Sequence, residues 1–137
     1  MSELSDRMGL IKDTLAAKYP ARVVSRSLMD FPMRHKSELD AGVYTIVSAG
    51  EGGYANYNGR EAMDGRHHIL LVGQFVLGEK ATPSEIEDAE GAMVDEIKAF
   101  VRSLPMALCS LVMKGYRNSQ QIEHPYGWIA VDMEITQ

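Results

Sequence analysis

The sequence predicts an α+β domain in which two helices pack on one face of a mainly antiparallel five-stranded sheet, in the order α-β-β-β-α-β-β. Three observations carry this reading. Apolar residues recur at helical spacing in only two stretches, short apolar runs of strand character lie between and after them, and no shift of composition marks a second domain. The 137 residues are 45% hydrophobic and 24% charged, which suits one globular domain. A chain of this size buries roughly 68–70% of its unfolded surface, so a core forms without disulfides or metal staples.

Leu4, Met8, Ile11 and Leu15 lie at spacings of four, three and four and define the first helix, which runs to about Lys18. Tyr19-Pro20 ends it, because proline lacks the amide donor and disfavours the α conformation in the residue before it. Arg22 to Met29 begins with β-branched residues and reads as the first strand. Asp30 to Gly42 is a polar connection carrying the basic triplet Arg34-His35-Lys36, and Val43 to Ala49 is the second strand.

Gly50 to Gly65 holds five glycines in sixteen residues without helical or alternating pattern. It is expected to be a long mobile loop, and loops of that length are usually functional. His67 to Leu77 is the third strand and is apolar on both sides. Ile69, Leu71, Phe75 and Leu77 face one way, and Leu70, Val72 and Val76 face the other. Two helices cannot readily cover both faces, so the second set is expected to meet another subunit.

Thr82-Pro83-Ser84-Glu85 opens the second helix, with Thr at the N-cap, Pro at the first helical position and Glu reaching back to the cap. Ile86, Ala89, Met93, Ile97, Phe100 and Val101 form its apolar stripe. Acids cluster at its start and Lys98 and Arg102 at its end, as the helix dipole favours. Ala107 to Tyr116 and Tyr126 to Thr136 are the closing strands. In the last, Ile129, Val131, Met133 and Ile135 alternate with Trp128, Ala130, Asp132 and Glu134.

Fourteen Lys and Arg against nineteen Asp and Glu leave a net charge of −5, which disfavours binding to phosphate backbones. One cysteine, Cys109, permits neither an internal disulfide nor a multi-thiolate zinc site. Lying in an apolar run, it reads as a buried thiol without a base. The first residues, Met1 to Asp6, lack the basic and apolar blocks of a signal peptide, so the chain is expected in the cytoplasm when made.

His35, His67, His68 and His124 could supply imidazole ligands, yet His67 and His68 are adjacent in a strand and point to opposite faces. No metal and no cofactor is expected. Ser48-Ala49-Gly50-Glu51-Gly52-Gly53 lacks the Lys-Ser or Lys-Thr and the following helix of a phosphate loop, and Glu51 would repel phosphate. No serine stands in Gly-x-Ser-x-Gly. Asp6, Asp13, Glu85, Glu87, Asp88 and Glu90 read as solvated helix surface, and Met8, Met93, Met113 and Met133 as core packing. No catalytic residue is assigned.

The element order, the apolar run Ile69-Leu70-Leu71-Val72-Gly73-Gln74-Phe75 leading through Thr82-Pro83-Ser84-Glu85 into a helix, and the turn Pro125-Tyr126-Gly127-Trp128 resemble the tail terminator, or minor tail protein U-like, family of long-tailed bacteriophages and prophages. The likeness spans Leu4 to Thr136. It implies a non-enzymatic structural protein of the virion tail, assembled in the host cytoplasm as a homohexameric ring. The ring ends polymerisation of the tail tube and joins tail to head. Its implied partners are further copies of itself, the tail tube protein and a head-completion protein. Neither a membrane nor a specific nucleic-acid sequence is bound, and DNA is free to pass through the lumen.

On this reading Gly50, Glu51, Gly52, Gly53, Tyr54, Tyr57 and Arg60 belong to an oligomerisation or docking loop, and Leu70, Val72 and Val76 to a subunit-interface strand. Two other readings stand beside it: another tail or head–tail connector component, and a small cytoplasmic enzyme or ligand-binding domain using His67, His68 and the glycine-rich loop.

Overall fold

The computed structural model describes residues 2–53, 56–57, 60–61 and 65–136. In chain order these form α1 (Glu3–Lys18), β1 (Val23–Ser25), α2 (Lys36–Ala41), β2 (Val43–Gly52), β3 (Asn56–Tyr57), β4 (Arg60–Glu61), β5 (Arg66–Val76), α3 (Pro83–Arg102), β6 (Val112–Asn118) and β7 (Tyr126–Thr136). Short 3-10 turns occupy Phe31–Met33 and Met106–Leu108. The fold is α+β, with a mixed five-stranded sheet in the order β1-β2-β5-β7-β6 and, among the described residues, three α-helices.

Helix α1 buries Met8, Ile11 and Leu15 and leaves Leu4 at its exposed start. Helix α3 begins as its sequence requires. The Thr82 hydroxyl accepts from the Glu85 amide at 3.3 Å, and the Glu85 carboxylate accepts from the Thr82 amide at 3.4 Å, satisfying amides that have no partner within the helix. Both helices cover one face of the sheet, where Tyr44, Ile46, Ile69, Leu71, Phe75, Ile129, Val131 and Ile135 join Ile86, Met93, Ile97 and Phe100 in a single core. Gly127 stands opposite Phe75 on this face. A Cβ there would overlap the Phe75 ring, so the position admits no larger residue without displacing the ring.

The sheet departs from the expected mainly antiparallel pattern at its edge. Strand β1 runs parallel to β2, with Val23 opposite Val43, while β2·β5, β5·β7 and β6·β7 are antiparallel. A parallel neighbour needs a crossover longer than a hairpin, and the segment between Ser25 and Val43 supplies it. Strand β1 is only three residues long, not the expected run from Arg22 to Met29. The Ser25 hydroxyl accepts from the Ser27 amide at 3.0 Å, a local turn that competes with further pairing.

The crossover itself corrects the expectation of two helices. Helix α2 is six residues long, buries only Leu39, and carries Arg34–Glu38 and Lys36–Asp40 ion pairs at 3.3 and 3.1 Å. So short a helix shows too few apolar positions to register as a period. It lies on the sheet face opposite α1 and α3. There the Arg34 guanidinium donates to the Ser27 carbonyl at 2.7 Å and the Thr45 hydroxyl at 3.1 Å, and the Gln74 amide donates to the Met29 carbonyl at 3.0 Å. The Phe31 and Tyr126 rings close this cover with centroids 4.8 Å apart. The helices therefore do not all pack on one face.

The expected strand from Ala107 begins later, because Met106–Leu108 turns in a 3-10 helix and pairing starts at Val112. Cys109 follows that turn and is exposed, not buried in a strand.

Candidate functional site

The segment expected to be a loop is partly strand. Gly50, Glu51 and Gly52 belong to β2, and Glu51 and Gly52 pair with His67 and Arg66 across a register shift that begins after Ser48. Gly50 makes the shift possible with φ +96, a left-handed conformation that glycine adopts without steric cost. Gly53, with φ +73, leaves the strand. Tyr54 lies outside the described residues. Tyr57 and Arg60 pair with each other across the β3·β4 ribbon. Of the candidate docking residues, Gly50 to Gly52 thus end β2, and Tyr57 and Arg60 belong to the short ribbon that lies in the chain between β2 and β5.

Near the end of β2 lies a polar array which the sequence did not disclose. His67 is fully buried on the helix-covered face. Its Nδ1 stands 3.0 Å from the Arg7 guanidinium of α1, and its Nε2 stands 2.8 Å from the Ser48 hydroxyl of β2. A guanidinium only donates, so Nδ1 is the acceptor and the neutral ring carries its proton on Nε2, donating it to Ser48. A histidine so arranged cannot take a proton from that serine. The geometry is the inverse of the one that activates a hydroxyl nucleophile. Burial, and secondarily the Arg7 charge, push the His67 pKa below its ordinary value, with Glu51 opposing and His68 reinforcing the shift.

His68 points to the opposite face, half exposed, with its Nδ1 3.7 Å from Glu134. His35 precedes α2 at the surface, and the His124 ring bonds the Ala81 carbonyl. The four histidines are dispersed, and among the described residues no group of three or more His, Cys, Asp or Glu side chains could hold a metal ion. No helix among them is long and apolar enough to cross a membrane.

Leu70, Val72 and Val76 occupy the face expected of them. They alternate with buried Ile69, Leu71 and Phe75 and are themselves half-buried. Register places Val47 and Asp132 beside Leu70, and Thr45 and Ala130 beside Val72. The cover formed by α2 and the Phe31–Met33 turn lies toward Val76, in a cleft of about 260 Å³ lined by Phe31, Arg34, Leu39, Val76 and Tyr126. Leu70 and Val72 do not line that cleft, and of the two Val72 lies nearer the cover, since Thr45 beside it is fully buried and bonded by Arg34.

Two polar arrangements, one half-buried and one buried, hold the remaining connections. Arg22 grips Glu96 of α3 through two bonds of 2.6 and 3.2 Å and donates to the Ala41 carbonyl at 2.9 Å. The Tyr44 hydroxyl donates to the same carboxylate at 2.9 Å. Burial, followed by the charge of Glu96, pushes the Tyr44 pKa far above the ordinary phenol range.

Glu90 was expected at the solvated surface but is 1% exposed. Its carboxylate accepts from the Ser119 hydroxyl, the Ser119 amide at 3.3 Å and the Trp128 amide at 3.0 Å. Ile86, Glu90, Met93 and Ile97 are spaced four, three and four, so position 90 falls within the apolar stripe. That spacing was the available sign of its burial. No known protein-family model matches the chain, and no curated protein matches it.

Proposed function

We propose that the protein is a structural component of a phage or prophage tail. It forms a ring, a homohexamer, that caps the tail tube, ends its polymerisation and joins it to the head. The observation that carries this reading is the second face of the central strand. Leu70 is only partly buried on that face, beside Val47 and Asp132 and outside the cleft under the short cover, and apolar surface left in contact with water gains free energy by meeting another subunit.

The ribbon bearing Tyr57 and Arg60 supports the same reading. It lies in the chain between β2 and β5, where a neighbouring subunit, the tail tube protein or a head-completion protein would engage it. With a net charge of −5, the ring lets DNA pass without holding it.

The test is the mass and image of the purified chain, alone and with its tube protein. Closed rings are expected in negative stain, with Leu70→Lys/Val72→Lys giving folded, unassembled chains. A chain that stays monomeric at high concentration and on added tubes sinks the reading.

A further inference from the structure

A closed ring of more than two copies needs two different, complementary patches on each subunit, and the two ends of α3 carry such a pair. At its C-terminal end a cleft of about 360 Å³ is lined by Val101, Val112 and Met113, with Lys98 and Arg102 at its rim. Both cations are exposed, and Val112 at 42% exposure leaves apolar floor open to solvent.

Near the N-terminal end of α3 the turn between β6 and β7 presents Ile122, 75% exposed, beside exposed Glu123. The turn is held in place, because Glu90 binds Ser119, the Glu87 carboxylate accepts from the Gln121 amide at 2.9 Å, and His124 bonds Ala81. A side chain presented by so well-anchored a turn loses little freedom on docking.

We infer that Ile122 of one copy inserts into the Val101–Val112–Met113 cleft of the next, with Glu87 and Glu123 facing Lys98 and Arg102. The inference rests on the ring reading and names one of the contacts that closes the ring. Within one chain the pair cannot meet. Glu87 and the two cations are eleven to fifteen positions apart on α3, roughly 16–23 Å along a helix rising 1.5 Å per residue. Two acidic turns repel each other, as do two basic clefts, so only the unlike pair associates. Joined head to tail, each added copy leaves one turn and one cleft free, and the series continues until it closes.

The experiment measures the mass of the full chain by sedimentation, with melting curves to confirm folding. Glu123→Lys and Lys98→Glu/Arg102→Glu change only exposed side chains, and Glu87 is left intact because it anchors Gln121. Each is expected to stay folded, the second with a lower melting temperature because it removes cations from the C-terminal end of α3, and to sediment as a monomer where the parent forms rings. Mixed in equal amounts, the two are expected to regain the ring mass, because each Lys-bearing turn then meets a Glu-bearing cleft and each Glu-bearing turn a basic one. Ile122→Ser, which adds no charge, raises the concentration needed for assembly about tenfold, as loss of a central apolar anchor does.

Rings that persist in both charge reversals overturn the contact and leave the ring reading standing. A mixture that stays monomeric overturns the pairing of these two patches. A particle that stops at two copies overturns the head-to-tail order, and a parent chain that never assembles, even on tubes, overturns contact and ring together.

Discussion

Leu70 and Leu71 are neighbours on the central strand and lie in different solvents. Leu71 is fully buried among α1, α3 and β7, whereas Leu70 lies half-buried on the other face, whose cover is one short helix long. The first face is built from two long amphipathic helices, and its cohesion is apolar area removed from water. The second is tied down by hydrogen bonds from Arg34 and Gln74 and by one aromatic pair. One face is a closed core, and the other is held by polar bonds at one end and leaves Leu70 partly in contact with water.

Truncating the two neighbours gives the sharpest contrast. Leu71→Ala is expected to destabilise the folded chain by about 3 kcal/mol, the range for a buried leucine whose site cannot collapse. Leu70→Ala is expected to cost clearly less, about 1–2 kcal/mol, because part of that side chain is already in contact with water. Denaturant melts of both variants decide the matter, and equal losses would abolish the distinction between the faces.

Next in size is the anchor of the second face. Arg34→Ala removes buried bonds to Ser27 and Thr45 and is expected to cost roughly 2 kcal/mol. Amide exchange should accelerate across α2 while α1 and α3 keep their protection. Loss of protection on both faces together would show that the short cover is not a separable unit.

The smallest effect is one of pH and belongs to the first face. The unfolded chain's imidazole protonates near pH 6.5, whereas His67, buried against Arg7, protonates only at lower pH. Between those two values the unfolded state holds more protons, so stability is full above about pH 6.5 and declines as the pH falls toward the folded value. The melting temperature should fall with acidification through this window, and less steeply in His67→Asn. An unchanged slope in the variant would assign the decline to other groups.

What the sequence disclosed, and what it hid, divides along the same line. The α1 stripe, the Thr82–Glu85 capping box and the two faces of β5 depend on residues within a turn or two of one another, and the structure has them where local spacing places them. The parallel seat of β1 depends on a pairing reached through a crossover, and α2 is too short to show a period. His67 finds Arg7 sixty positions away, a meeting that no local pattern encodes. Of the candidate residues, Leu70, Val72 and Val76 were legible because strand alternation alone assigns their side. Gly50 to Gly52 were misread because glycine lowers strand propensity even where a bulge requires it.

Glu90 holds both roots of the β6–β7 connection, one at Ser119 and the other at Trp128, with a single buried carboxylate. Between those roots only the tip is unconstrained: Ile122 and Glu123 are exposed, whereas Gln121 bonds Glu87, Tyr126 stacks on Phe31 and Gly127 makes room for the Phe75 ring. Side chains at those two tip positions can change while the frame that presents them stays the same.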